Sequence, residues 1–249
     1  SNPLDARYRV MKKLPVLLCI FLLSACDVPL DNLVQRNGIR YEINSQTPFT
    51  GVATEYYENG QLEEKLNYTN GRRHGLFYRY YPNGQLREQE AYWDGEEHGL
   101  SEAYYPNGQL DEKVNYKYGE RHGLAEWYRE NGQLSQKVTY KDGEQNGLFE
   151  EYDPWGELEE KGNYKDGEKQ GLFEIYASND WLREKGTYKD GEKQGLFEKY
   201  DPNGQVREKG TYKDGVRHGL SETYQENGQE ENHPVCYQNS YRVDMSKCK

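Results

Sequence analysis

Four histidines, His74, His98, His122 and His218, each stand immediately before a glycine, and the first three are 24 residues apart. Histidines at a fixed interval are candidates for metal ligation or general-base chemistry, since neutral imidazole can hold zinc or take a proton near neutral pH. The interval argues against both. With two antiparallel strands per interval, successive copies lie about 10 Å apart, too far to share one ion at about 2.1 Å. Asn146, Gln170 and Gln194 fill the same place in other copies, so these positions read as turn residues. A second recurring group, Glu64, Glu88, Glu112, Glu160, Glu184 and Glu208, has the chemistry of paired hydrolase carboxylates. Its presence in nearly every copy fits a structural ladder better. Lys65, Lys113, Lys161, Lys185 and Lys209 are the nearest partners, although alternation sends each adjacent lysine to the other side of the strand. The glycine spacings lack the Gly-Lys-Ser/Thr of a phosphate loop, there is no G-x-S-x-G, and no serine recurs beside a histidine. No catalytic residue, metal or cofactor is expected, and the chain reads as a binding protein rather than an enzyme.

The elements that position these residues follow from one period. Gly51, Gly75, Gly99, Gly123, Gly147, Gly171, Gly195 and Gly219 are each 24 apart, so every turn has a fixed length across eight units. Each unit reads as two short strands. In the second unit, "GLFYRYY" is followed by a "PNG" turn, "QLREQEAYW" and a "DGEEH" turn. Asn-Gly and Asp-Gly tolerate positive φ and therefore suit tight hairpins. No stretch carries a helical period. The predicted fold is all-β: an elongated, curved antiparallel meander of about sixteen strands, roughly 70 Å long at 4.8 Å per strand.

Strand alternation divides the unit into two faces. Leu76 and Tyr80 share one face, and Leu86 and Tyr92 match them in parity. Fifteen of the 24 tyrosines occupy these two tyrosine positions. This Leu/Tyr face is expected to be structural. The other face varies from unit to unit, and a repeat sheet that keeps one face and diversifies the other suits partner binding. The predicted partner-binding residues are Tyr57, Phe77, Arg79, Tyr81, Ala103, Tyr105, Trp127, Arg129, Phe149, Glu151, Phe173 and Ile175. Aromatic residues and arginine give the Tyr81, Tyr105, Trp127, Arg129 stretch the composition of an interface hot spot.

The ends differ from the middle. "MKKLPVLLCIFLLSAC", Met11 to Cys26, has a positive start and an apolar run too short to span a bilayer comfortably. It ends in Leu23-Ser24-Ala25-Cys26, which resembles a bacterial lipobox. The resemblance implies cleavage before Cys26 and lipidation of that cysteine, so the mature protein would face the periplasm, anchored to a membrane through Cys26. Asp27 resembles the inner-membrane retention signal of enterobacterial lipoproteins; other bacteria follow other rules, and the leaflet stays open. Cys236 and Cys248 then remain, and in an oxidising compartment two leftover cysteines read as one disulfide. The expected organisation is 1–10 a start-site artefact, 11–25 a lipoprotein signal, 26–50 an anchor, linker and capping half-repeat, 51–229 eight repeats, and 230–249 a disulfide-bonded cap. Sheet edges invite aggregation unless covered, so Ile39 to Ile43 and the Cys236–Cys248 tail are the predicted caps, and reduction should loosen the last repeat.

Composition narrows the partners. There are 43 acidic and 32 basic residues, a net charge of -11, which disfavours nucleic acid and anionic membrane surfaces. The free chain is expected to be monomeric. The pattern Y-x-x-N-G-x-L followed by Y-x-x-G-x-x-x-G, as in "YYENGQLEEKLNYTNGRRHGL" from Tyr56 to Leu76, resembles the MORN-repeat variant of bacterial proteins, over about Gly51 to Gln229. Some members are named as antitoxins, which implies stacked hairpins and an immunity role. The expected function is therefore a membrane-anchored immunity protein that occludes a secreted antibacterial toxin, with a lipase or phospholipase as one fitting class. The alternatives are a structural envelope scaffold and a lipid-binding module.

Overall fold

The computed structural model describes residues 27–248. Cys26, the signal-like segment and residues 1–10 lie outside the described residues. No α-helix occurs among the described residues, and none there is long and apolar enough to cross a membrane.

The repeats form one long sheet in which each strand pairs with its sequence neighbour. Unit 2 is representative. Gly75–Tyr80 pairs antiparallel with Leu86–Trp93, which pairs onward with Gly99–Tyr104 of unit 3. Two kinds of turn alternate along opposite edges. At the Asp-Gly edge, Asp94 and Gly95 have φ of 50° and 96°, the paired left-handed residues of a tight hairpin turn. At the Asn-Gly edge only the glycine is left-handed, Gly84 at φ 85°. There Asn83 works through its side chain, its Oδ1 accepting from the Gln85 amide at 3.0 Å. Asparagine was expected to adopt positive φ here; it folds back on its own backbone instead.

Register decides what the two faces carry. From Gly75↔Tyr92 to Arg79↔Glu88 the partners advance evenly, and then Tyr80 pairs with Leu86. Arg87 is the extra residue of a β-bulge, and the same shift recurs beside Tyr56, Tyr104, Tyr128, Tyr152, Tyr176 and Tyr200. One inserted residue exchanges the faces of everything beyond it. Tyr92 therefore lies on the face of Phe77, not that of Leu76. The expected Leu/Tyr structural face does not exist as a single surface. One face, here called aromatic, carries the first-strand Phe or Ala with the second-strand Tyr. The other, the leucine face, leaves Leu76, Leu124, Leu148, Leu172 and Leu196 exposed.

The aromatic face holds the core. Ala53, Leu66, Phe77, Val114, Ala125, Val138, Phe149, Phe173 and Phe197 are all buried. In units 5 to 7 rings alternate edge to face from Phe149 through Tyr164, Phe173, Tyr188 and Phe197 to Tyr212, with centroids 5.1–5.7 Å apart, a favourable geometry for ring quadrupoles. Glycine opposite makes room for them. A Cβ on Gly186 would lie 2.2 Å from the Phe197 ring, and one on Gly162 would lie 2.5 Å from Phe173.

Both ends are closed. Val28–Pro29 pairs parallel with Gly51–Tyr56 at the first edge, where proline suits an edge strand because it has no N–H to offer. The hairpin Leu33–Arg36/Ile39–Glu42 stands beside it, joined through Arg40 N–H to the Gly71 carbonyl at 2.9 Å. Leu33 and Phe49 join Ala53, Leu66, Tyr68 and Phe77 in one buried cluster, with Val28 and Leu30 against it. The N-terminal segment thus lies over the aromatic face of unit 1. The edge itself is covered by Val28–Pro29, not by Ile39 to Ile43 as expected. At the far end Val235–Gln238 pairs with Val216–Thr223 and then with Tyr241–Val243. Cys236 and Cys248 are disulfide-bonded, their Cα atoms 5.6 Å apart, with Cys236 buried.

Candidate functional site

The twelve predicted partner-binding residues divide into three groups. Phe77, Phe149 and Phe173 belong to the core and are at most 6% exposed; their expected place on a solvated face is corrected by the bulge. Tyr57, Tyr81 and Tyr105 tie one unit to the next. Their hydroxyls donate to the carbonyls of Tyr80, Tyr104 and Tyr128 at 2.7–2.8 Å. Arg129 does the same to the Tyr152 carbonyl at 2.7 Å. Burial, then the neighbouring Asp111 carboxylate, pushes the Tyr105 hydroxyl up to about 12, so it stays a donor at every physiological pH.

The third group remains available. Arg79, Ala103, Trp127, Glu151 and Ile175 are partly exposed and stand in one lateral row of the aromatic face. Cross-strand pairing interleaves them with Glu64, Glu88, Glu112, Gln136, Glu160 and Glu184. Arg79 bridges two of these, Nε to Glu64 at 2.9 Å and Nη1 to Glu88 at 2.6 Å. Trp127 packs edge-on to Tyr140 with centroids 6.4 Å apart, and the Arg121 guanidinium lies 5.4 Å from its ring. Burial, then Glu159 and Glu160, raise the Glu151 carboxyl above its ordinary range.

Two sets of residues escaped the sequence reading. Arg73, Arg121, Lys169, Lys193 and Arg217, two positions before the repeat glycine, stand over the aromatic rings at 4.4–5.9 Å. Four of them are also the true partners of the recurring glutamates, as in Lys169–Glu160 at 2.5 Å and Lys193–Glu184 at 3.1 Å. The adjacent lysines expected in that role pair on the leucine face instead: Lys113 with Glu102, Lys161 with Glu174, Lys185 with Glu198 and Lys209 with Glu222, at 2.5–3.2 Å. Each of these glutamates also accepts from the tyrosine two residues on, Tyr104, Tyr176, Tyr200 and Tyr224. A spacing of nine residues between glutamate and cation was the available signal.

Two of the histidines hold turns. His98 Nδ1 accepts from the Tyr118 amide at 3.4 Å, and His122 Nδ1 from the Asp142 amide at 3.5 Å. Gln170 and Gln194 place an amide oxygen on the equivalent nitrogens of Asp190 and Asp214 at 2.9 and 3.0 Å. All four side chains supply the same acceptor, which is why His and Gln interchange, whereas Asn146 instead donates to the Asp166 carboxylate at 3.0 Å. Among the described residues no group of three or more His, Cys, Asp or Glu could hold a metal ion.

Seven tandem segments match the family described as MORN repeat variant: residues 49–70, 73–94, 97–118, 121–142, 145–166, 169–190 and 193–214. No curated protein matches the chain. The matched segments cover more than half of the chain at the interval of the hairpins, and the chain belongs to the MORN repeat variant family.

Proposed function

We propose that the protein is a binding scaffold, not an enzyme, and that a protein partner docks on the aromatic face along Ala103, Trp127, Glu151 and Ile175. The observation that carries this is the seating of the chain's own N-terminal segment. Leu33 and Phe49 close over the aromatic face of unit 1, whereas the cluster of Val138, Phe149 and Phe173 gathers only residues of the repeats. A face that accepts an added segment at one end offers the same register of rings and carboxylates farther along. Trp127 supplies the aromatic anchor typical of interface centres. Repeats of this family often mediate protein or membrane interactions, in keeping with such a surface.

The more specific reading is a periplasm-facing protein, lipid-anchored at Cys26, that neutralises a secreted antibacterial toxin by occlusion. Its supports are the lipobox-like "LSAC" at 23–26, the acidic charge and the family's antitoxin-named members. Co-purification with the product of the neighbouring gene tests it. Trp127→Ala and Ile175→Lys are expected to weaken that capture at least tenfold, and Leu172→Lys, on the leucine face, to leave it unchanged. Loss of capture with Leu172→Lys alone would move the site to the other face. Cells deleted for the gene that survive contact with siblings would remove the immunity reading.

A further inference from the structure

The cation row of the aromatic face has one member out of pattern. Arg121, Lys169, Lys193 and Arg217 each pair with the glutamate nine residues earlier, Glu112, Glu160, Glu184 and Glu208. The corresponding partner of Arg73 is Glu64, and Glu64 is taken by Arg79. Arg73 keeps a hydrogen bond to the Tyr92 hydroxyl at 3.1 Å and its contacts with the Phe77 and Tyr92 rings. It forms no ion pair among the described residues.

This arginine lines a cleft of about 250 Å³ where the N-terminal hairpin meets the Asn70–Gly71 turn, together with Gln35, Arg40, Tyr68 and Arg72. Arg40 also forms no ion pair among the described residues. Arg72 is neutralised at the rim by Asp94, at 3.0 Å and largely exposed. Two guanidinium groups with no direct ion pair therefore share one cleft in a chain of net charge -11. Arg73 is balanced only through space by Glu97 and through the Tyr92 hydroxyl, which donates to Glu90 at 2.7 Å. Elsewhere in the row the group beside this cation is always a carboxylate, and the planar fork of arginine matches a carboxylate in bidentate fashion.

We infer that Arg73 and Arg40 form a carboxylate-binding site, supplied from outside the repeats by an acidic side chain of a protein or by a free small acid. The site exists because Arg79 draws Glu64 away and because the hairpin adds Arg40; both are absent from the later units. It does not depend on the toxin reading.

The test uses the purified chain labelled with 15N-arginine, followed through its guanidinium Nε–H signals. Malonate probes a free acid, an acetylated and amidated Gly-Glu-Gly peptide probes a side chain, and inorganic phosphate is the competitor. Saturable shifts at Arg40 and Arg73, with none at Arg121, are expected. Tighter binding of the peptide assigns a protein source, and tighter binding of malonate a free acid. Arg73→Gln and Arg40→Gln should each weaken binding by about tenfold, the loss of one charge-assisted pair. Arg79→Gln leaves both cleft arginines in place but releases Glu64 to Arg73, and should weaken binding as well. Absence of saturable shifts, equal shifts at Arg121, tighter binding of phosphate, or full binding by Arg79→Gln would overturn the assignment.

Discussion

Units 3 and 4 and units 5 to 7 share one backbone and fill its aromatic face in opposite ways. In the earlier pair the first strand contributes small residues, Ser101 and Ala125, and the second contributes Val114 and Val138. In the later units the first strand contributes Phe149, Phe173 and Phe197, and the second contributes Gly162, Gly186 and Gly210. Cross-strand neighbours trade volume so that each pair remains filled, as close packing demands. The charge pattern singles out unit 3. Arg121, Lys169 and Lys193 stand over rings of units 4, 6 and 7, whereas unit 3 has Glu97 at that position of the row. Burial, then the neighbouring Glu90, raise its carboxyl above the ordinary range. The ladder of rings is thus the half held by aromatic contacts, and the stretch around Ser101, Ala103 and Glu97 is the half built of small side chains with a raised carboxyl in its row.

The strongest way to break this contrast is to remove a ring. Phe173→Ala is expected to cost about 3–5 kcal/mol, against about 1–2 kcal/mol for Val114→Ala, because more contact is lost and Gly162 beneath the ring leaves nothing to fill the gap. Urea unfolding of the two variants measures the difference, and equal losses would mean the ladder gains no more from its contacts than the Val/Ala half.

A volume swap sharpens the same point. Gly186→Val forces a side chain into the Phe197 ring and should cost about 1–3 kcal/mol. Adding Phe197→Ala recreates the Val114/Ala125 pairing. The double variant should therefore be more stable than the sum of the two single losses, by a coupling of about 0.5–3 kcal/mol. Strict additivity would refute volume exchange between these neighbours.

The charge difference gives the smallest effects, and their signs oppose. Lys161 holds the Glu174 carboxyl, and Lys209 the Glu222 carboxyl, below the ordinary range through hydrogen bonds. A depressed carboxyl contributes stability that is present above its unfolded value and lost as pH falls through the folded one. Glu97 is raised, so its penalty grows as pH climbs from the unfolded to the folded value and is absent in acid. Amide exchange on acidification should accordingly open units 6 to 8 before unit 3. Glu97→Gln should raise the thermal midpoint at neutral pH and leave it unchanged below the carboxylate range. A rise at both pH values would assign the effect to shape rather than charge.

Most of the architecture was legible. A 24-residue interval without insertion, Asn-Gly and Asp-Gly punctuation and alternating tyrosines suffice for hairpins in an unbroken meander. The turn role of His98 and His122 was also accessible, since Gln170 and Gln194 replace them without loss of pattern. The face assignment was not. Parity counted from Leu76 and Tyr80 across "PNG" to Leu86 places Tyr92 beside leucine, and only the extra residue at Arg87 turns it to Phe77. The Phe77, Phe149 and Phe173 positions thereby pass from supposed contact surface to core, and the first-strand leucines from a supposed structural face to solvent. The pairing of Glu160 with Lys169 rather than Lys161 has the same cause, because register, not proximity along the chain, sets which charges meet.

Local chemistry along the chain therefore dictated the strands, the turns and their period, since each depends on residues within a few positions of one another. The bulge, the volume exchange across neighbouring strands, the seating of Leu33 over unit 1 and the meeting of Arg40 with Arg73 were decided only in three dimensions. A single inserted residue reverses both faces of a strand, and residues far apart in sequence acquire a shared environment only after the register is fixed.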